Sequence, residues 1–204
     1  MPHNGSHCVI LAVKTEPQMK PKAAQYLDES EVNRLLYFFK KNKLWAYFIY
    51  VKLSIYFALR FKDISNLVWA DVLGKSRILI IESKTSKARE IPISKELQDS
   101  IRLTYIELGS PSIFDKIVPI GIRGVNKQLK VYSQKCGIKK RVSTHTWRKT
   151  FGREVWSRNG KSDASLLKLS MLFNHSSTTI TRIYLDITRE EVLQLYKVDD
   201  LFHH

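Results

Sequence analysis

Several features that would mark particular protein classes are missing from this sequence of 204 residues. The two cysteines, Cys8 and Cys136, lie far apart, so the chain carries neither a disulfide framework nor a cysteine-rich zinc site, and a reducing cytosol fits. No GxxxxGK[ST] or GxGxxG loop occurs, which argues against a nucleotide-driven motor and against a dinucleotide-dependent enzyme. Any chemistry must therefore proceed without such a cofactor.

Long apolar stretches are also missing. The most apolar one, Leu44 to Leu59, contains Lys52 and is shorter than the roughly 20 residues that a membrane span requires, so it predicts a buried helix. The N-terminus lacks the basic, apolar and small-residue order of a secretory signal. We therefore expect a cytoplasmic protein without a membrane partner.

Acidic residues are scarce relative to basic ones. The chain has 34 Lys and Arg against 19 Asp and Glu, a net charge of +15. Such an excess needs an anionic partner or is tolerated as self-repulsion, and nucleic acid is the leading candidate. On charge alone, a ribosome-associated, membrane-surface or merely soluble protein remains an alternative.

The apolar spacing predicts a mainly helical domain after a short leader. Residues 1–25 contain three prolines and no sustained apolar period, so we interpret them as a flexible leader or linker, and residues 26–204 as one folded domain. Helices are predicted from Asp28 or Ser30, over Leu44–Leu59, from Ser94 to Leu108, from about Gly124 to Cys136, and over Trp147–Arg158, Asp163–Phe173 and Ser177–Tyr184 onward.

Two short strands interrupt this pattern. Arg77–Glu82 carries a run of Ile and Leu, and Glu90–Ile93 alternates polar and apolar residues, with the polar turn Lys84–Lys87 between them. The sequence therefore predicts an α+β fold, mainly α-helical, with a small antiparallel β-sheet inserted after the second or third helix.

Three polar strings carry groups that could handle a phosphodiester. They are Ala58–Asp63, which contains an arginine; Thr144–Arg148, which contains a His-x-x-Arg pair; and Asn174–Ser177, whose histidine is followed nine residues later by Tyr184. In this order, with a lysine-bearing hairpin between the first two, they resemble the tyrosine recombinase (phage integrase) family, whose signature is Arg, Lys, His-x-x-Arg, His and Tyr.

The resemblance covers roughly Tyr26 to Leu201 and implies a catalytic domain with a six-residue site. Asp63 matches the acidic residue that follows the family's first arginine. The six implied catalytic residues are the arginines Arg60 and Arg148, the hairpin lysine Lys84, the histidines His145 and His175, and the nucleophile Tyr184. Lys87 is a competing assignment for the hairpin lysine.

These residue types suit cleavage of a phosphodiester. Two guanidinium groups can bind phosphate oxygens with paired donors, and His175 adds a further donor. The family chemistry implies attack by Tyr184 to give a 3′-phosphotyrosyl enzyme and a free 5′-hydroxyl, without metal or ATP. A phenol titrates near 10, so it needs nearby cations or a proton acceptor, for which His145 is the candidate. Lys84 fits the general acid for the departing 5′-oxygen.

The sequence departs from the family pattern in places. The family often has glycine where this chain has Ala58 and Asn174, and leucine where it has Trp147. Most members also carry an N-terminal DNA-clamping domain of about a hundred residues. We therefore expect either an excised catalytic domain or a short member such as the fimbrial phase-variation recombinases.

The resemblance implies double-stranded DNA as the partner, a homo-tetramer assembled on DNA, accessory DNA-bending proteins and a nucleoid-associated location. Two alternatives stay open: a catalytically silent DNA-binding regulator of the same fold, and a type IB topoisomerase. The apolar C-terminal segment, Val192–Phe202, either packs on its own core or docks on a neighbouring protomer.

Overall fold

Helices make up most of the chain in the computed structural model, which describes residues 23–187. Most of the predicted leader and the apolar segment Val192–Phe202 lie outside the described residues. The described part contains, in order, α1 (Glu29–Lys41), α2 (Trp45–Phe57), α3 (Phe61–Ile64), α4 (Trp69–Val72), β1 (Arg77–Ile81), β2 (Ala88–Pro92), α5 (Lys95–Glu107), α6 (Ile122–Lys135), α7 (Thr146–Arg158), α8 (Asp163–Phe173) and α9 (Thr178–Tyr184). None of the described helices is long and apolar enough to cross a membrane.

Side-chain caps start α1 and α5 where the sequence predicted them. Asp28, rather than Ser30, caps α1: its carboxylate accepts a hydrogen bond from the Glu31 amide at 2.9 Å, and the Glu31 carboxylate accepts one from the Asp28 amide at 3.0 Å. Ser94 caps α5 by accepting from the Leu97 amide. Each cap satisfies amides at a helix start that otherwise lack a partner.

The two strands form the predicted antiparallel hairpin, with Arg77 opposite Pro92 and Ile81 opposite Ala88. The second strand begins two residues before the predicted Glu90, because the pairing continues up to the bend. The hairpin follows α4 rather than the second or third helix. Helices as short as α3 and α4, four residues each, leave no readable period in a sequence.

Two apolar clusters hold the helices together. The larger surrounds α2, which is buried on nearly every side and packs against α1, α5 and α7. The smaller joins the end of α2 to α7, α8 and α9 through Ala58, Trp156, Leu166, Leu169, Phe173 and Leu185. Trp147 and Trp156 are buried, as expected of core residues. The smaller cluster fixes the three C-terminal helices that carry most of the polar motif residues.

Gly152 allows α7 to approach α8 and the residue after α9. A Cβ atom at this position would lie 2.5 Å from Leu185 Cδ2 and 3.0 Å from Phe173 Cε2. We therefore expect Gly152→Ala to lower the free energy of unfolding by about 1–3 kcal/mol, measured by urea denaturation. The matched change Gly124→Ala, at an exposed position of α6, brings its Cβ no closer than 3.1 Å to one atom, Ile120 Cγ2, and should change stability by less than about 1 kcal/mol. Equal losses in both variants would contradict this packing argument.

Candidate active site

Arg60 enters the site because the chain reverses sharply after α2. Ala58 takes the left-handed conformation there, with φ of 50°, so that Arg60 follows in extended backbone and precedes α3. The Arg60 guanidinium donates from Nη1 to Glu82 Oε2 at 2.9 Å and from Nη2 to the Phe173 carbonyl at 3.5 Å. The same turn aims the Ala58 carbonyl at Arg148, whose Nη1 donates to it at 2.6 Å. One turn therefore holds both predicted arginines.

Glu82 contacts the site and was missed by the sequence analysis. Its side chain is only 3% exposed, and its carboxylate accepts from Arg60 at 2.9 Å and from Arg89 Nη1 at 2.8 Å. A signal was present in the sequence: Ile78, Ile80 and Glu82 share the inward face of the first strand, where a carboxylate requires a buried cationic partner. Glu82 thus links the hairpin to Arg60.

Arg148 is buried and only partly paired. Its guanidinium lies 4.5 Å from the centre of the Phe173 ring, and within the described residues its Nη2 is buried without a hydrogen-bond partner. Burial lowers the pKa of Arg148 to about 10, which leaves the group charged at neutral pH. A charged donor without a partner in a buried position is suited to binding an anionic oxygen that enters the site.

Tyr184 is the last residue of α9, and its ring packs on Phe173 and His175 with centroids 5.5 and 5.1 Å away. Its hydroxyl is buried, again without a partner among the described residues. Burial raises the pKa of the phenol to about 12, although the charges of Arg148 and Arg60 oppose this. The phenol is therefore neutral at physiological pH.

The two histidines differ in their surroundings. His175 Nδ1 is 3.0 Å from Thr181 Oγ1, whereas His145 is exposed at the start of α7. The protein around each ring removes part of its solvent, although the His145 side chain keeps an exposed surface, and this desolvation lowers the pKa of both imidazoles. The charges of Arg148 and other cations lower it further. Both rings are therefore neutral near pH 7, so each has one nitrogen that can accept a proton.

The hairpin lysines differ in their contacts. Lys87 Nζ donates to Asn174 Oδ1 at 2.8 Å. Lys84 is exposed and makes no hydrogen bond within the described residues, and its positive charge is one cause of the lowered pKa of His175. Lys84 therefore lies within electrostatic reach of the site with its ammonium group available.

An ion pair next to Tyr184 was also missed. Lys149 Nζ lies 2.9 Å from both carboxylate oxygens of Asp186, and 5.5 Å from the centre of the Tyr184 ring. Lys149 is buried, so the pair fastens the end of α9 to α7. The sequence offered no signal for it, because Lys149 sits in a basic stretch and Asp186 follows the helix.

The structure therefore groups the six predicted residues around one site. The charge of Arg60 affects the protonation of His145, Arg148, His175 and Tyr184, and that of Lys84 affects His175. A neutral phenol surrounded by cations that have unused donors, on a helical domain with one small hairpin, is the arrangement of a tyrosine recombinase catalytic domain.

Comparison with known proteins agrees with this class. The sequence model of the phage integrase family matches residues 25–191. The chain is 32% identical over 166 residues to the probable integrase/recombinase YoeC of Bacillus subtilis (strain 168), covering 79% of this chain and 88% of that protein. It is 26% identical over 179 residues to a tyrosine recombinase of Pseudothermotoga lettingae, covering 86% of this chain but 60% of that protein. The chain belongs to the phage integrase family.

A solved structure shares the fold. The XerH site-specific recombinase, in a post-cleavage complex with palindromic difH substrate, aligns with a TM-score of 0.63 and 17% identity, over 85% of this chain and 53% of that one. The present chain thus spans about half to three fifths of these two longer proteins. The predicted fold class, mainly helical with a small antiparallel sheet, is confirmed.

Removal of the Glu82 charge should destabilise the fold strongly, because Arg60 and Arg89 would lose their shared carboxylate in a buried position. We expect Glu82→Gln to lower the free energy of unfolding by about 3 kcal/mol. Glu90→Gln is the matched control: it breaks an exposed ion pair with Arg77 on the same hairpin and should change stability by less than about 0.5 kcal/mol. Urea unfolding of both variants measures the difference, and a loss for Glu82→Gln no larger than the control's would contradict the bridging role.

The lowered pKa values of the two histidines predict a pH-dependent stability. Unfolded histidine titrates near 6.5, and both His145 and His175 bind a proton less readily when folded, so the free energy of unfolding should fall as pH drops from about 7.5 to 5.5. Replacement of both by glutamine should make this slope shallower in urea unfolding across that range. An unchanged slope would contradict the assigned environments.

Proposed function

We propose that this chain is the catalytic domain of a site-specific DNA recombinase that cleaves and rejoins strands through a covalent 3′-phosphotyrosyl bond to Tyr184, without metal or ATP. One observation carries the proposal. The buried Nη2 of Arg148 and the buried hydroxyl of Tyr184 both lack partners within the described part of the chain, and both side chains pack on the Phe173 ring. A phosphate would supply both groups with a partner.

Charge stabilisation is the task of the arginines and the second histidine. Attack on phosphorus increases the negative charge on the non-bridging oxygens, and Arg60 and Arg148 are held in place beforehand by Glu82 and by the Ala58 carbonyl. His175, oriented by Thr181, is placed to donate a further hydrogen bond. Loss of one such preorganised donor commonly slows a reaction by about 10²- to 10³-fold.

Two proton transfers complete the step. The Tyr184 oxygen forms a bond to phosphorus while the bond from phosphorus to the 5′-oxygen breaks. The phenol proton passes to His145, whose lowered pKa leaves its ring neutral and able to accept. Lys84 gives a proton to the departing 5′-oxygen. Reversal of both transfers, with a 5′-hydroxyl as nucleophile, reseals the strand.

Double-stranded DNA is the proposed partner. The net charge of +15 favours a polyanion, and XerH, which has the same fold, is bound to palindromic difH substrate in its solved complex. We extend the proposal to a homo-tetramer on DNA, to accessory DNA-bending proteins and to association with the nucleoid. All three follow from the family relationship.

The nucleophile is tested by capture of covalent DNA adducts. Wild type and Tyr184→Phe are incubated with DNA of the source organism, denatured rapidly, and the protein-bound DNA is sequenced. We expect adducts at discrete sites for wild type and none for Tyr184→Phe, which lacks the attacking oxygen. Tyr132→Phe, a half-buried core tyrosine that packs on Phe38 and Phe39, is the matched control and should keep its adducts.

The other outcomes separate the alternatives. A folded, DNA-binding wild type that forms no adducts would contradict the proposal and favour a silent regulator of the same fold. Adducts scattered without sequence preference would favour a type IB topoisomerase.

A further inference from the structure

The bend of the hairpin is attached at both ends to the same point of the fold. At its base, Glu82 binds Arg60, which also donates to the Phe173 carbonyl. Directly across the base, Lys87 accepts from the Glu82 amide through its carbonyl at 3.0 Å and donates from Nζ to the side chain of Asn174. Phe173 ends α8 and Asn174 caps it. Both attachments therefore lie directly before His175 in the chain.

The residues inside the bend are held as well, with one exception. Ser83 donates from its amide and its hydroxyl to Asp63 Oδ1 at 2.8 and 2.7 Å. The amides of Thr85 and Ser86 donate to the Glu82 carbonyl at 3.3 and 2.8 Å. Among the four bend residues 83–86, Lys84 alone makes no hydrogen bond within the described chain. Lys84 is thus the residue of the bend whose side chain is available, while its neighbours on either side are held by hydrogen bonds.

The left-handed backbone conformation of Asn174 does not by itself require the hydrogen bond between its side chain and Lys87. Asn174 has a φ of 53°, a left-handed conformation that asparagine tolerates and that glycine adopts at least as readily. What asparagine adds over glycine here is the amide oxygen that accepts from Lys87 at 2.8 Å. This hydrogen bond also occupies the Lys87 ammonium, which weighs against Lys87 as the general acid.

We propose that Lys87 and Asn174 are a positioning pair that holds the hairpin bend against the end of α8, so that Lys84 reaches the departing 5′-oxygen. This inference rests on the proposed function, in which Lys84 is the general acid. The pair acts through Lys84 and touches no reacting atom. Its effect should therefore be confined to the step in which the leaving group is protonated.

Asn174→Gly is the sharpest test, because it keeps the left-handed backbone and removes no charge. Single-turnover cleavage is measured at saturating DNA with two substrates: an ordinary duplex, and one in which sulfur replaces the bridging 5′-oxygen at the cleaved position. A thiolate leaves without protonation, so it bypasses the general acid. We expect Asn174→Gly to cleave the ordinary duplex about three- to tenfold more slowly than wild type and the sulfur duplex at the wild-type rate.

Lys87→Met provides a second variant. Its control for the loss of a charge is Lys75→Met, which replaces an exposed lysine before the first strand. Lys87→Met should behave as Asn174→Gly does, and the double variant should be no slower than either single one, because all three lose the same contact. Lys84→Met should be far slower than any of them on the ordinary duplex and recover on the sulfur duplex. Lys75→Met should match wild type on both.

Two results would overturn the inference. Wild-type rates for Asn174→Gly on both substrates would mean that the contact positions nothing. Equal slowing on both substrates would mean that Asn174 acts on another step, such as the placement of His175. Hydrogen exchange of the bend amides 84–87 in the DNA-free protein tests the pair independently of cleavage: Asn174→Gly should speed their exchange. Failure of wild type to cleave DNA would refute the proposed function, and the positioning role with it, whatever the exchange data show. Unchanged exchange in Asn174→Gly, with a wild type that cleaves DNA, would refute the positioning pair alone.

Discussion

The buried carboxylate of Glu82 is the interaction on which the rest of the site depends. After burial, the charges of Arg60 and Arg89 contribute to the lowered pKa of Arg148, so the three guanidinium groups lie close enough to repel one another. Glu82 binds the first two at 2.9 and 2.8 Å and offsets part of the charge of the third. It also stands at the start of the hairpin bend, so the same contact that permits the arginines to gather also brings Lys84 to them. One side chain thus offsets the charge of the arginines and holds the hairpin that carries Lys84, the proposed general acid.

The remaining charge is left uncompensated at the position where chemistry is proposed to occur. Arg148 has an unused donor, and the Tyr184 hydroxyl lies in the same buried surroundings without a partner among the described residues. Burial keeps the phenol protonated, and desolvation, together with the charges of the neighbouring cations, keeps the histidines neutral. The free protein therefore has a donor for a phosphate and keeps its proposed nucleophile neutral. In the proposed reaction, arrival of the phosphate completes the hydrogen bonds and places the phosphorus beside the phenol, which would couple activation to substrate binding.

Local patterns in the sequence were sufficient for the longer helices and the hairpin, but not for the four-residue helices α3 and α4, and they singled out the six motif residues. Capping residues such as Asp28 and Ser94 mark helix starts, and the polar motifs stand out because their types and order are unusual. Glu82 could have been found from its inward position in the first strand. The Lys149–Asp186 and Lys87–Asn174 contacts could not, because their partners are 37 and 87 residues apart and meet only after the helices have packed. Their roles, and those of the six motif residues, stay predictions until the variants are measured.

The protonation state of Tyr184 in the free protein tests the central claim most directly. The chain is labelled with ¹³C at tyrosine Cζ, and the Tyr184 signal is assigned by its loss in Tyr184→Phe. An ordinary tyrosine titrates near 10 and is more than half ionised at about pH 10.5. The account predicts that the Tyr184 signal remains at the protonated position at that pH, since burial raises the pKa of this phenol to about 12. A midpoint at or below about 10 would contradict it, because the phenol would then not be held neutral, and activation would not depend on the arriving phosphate.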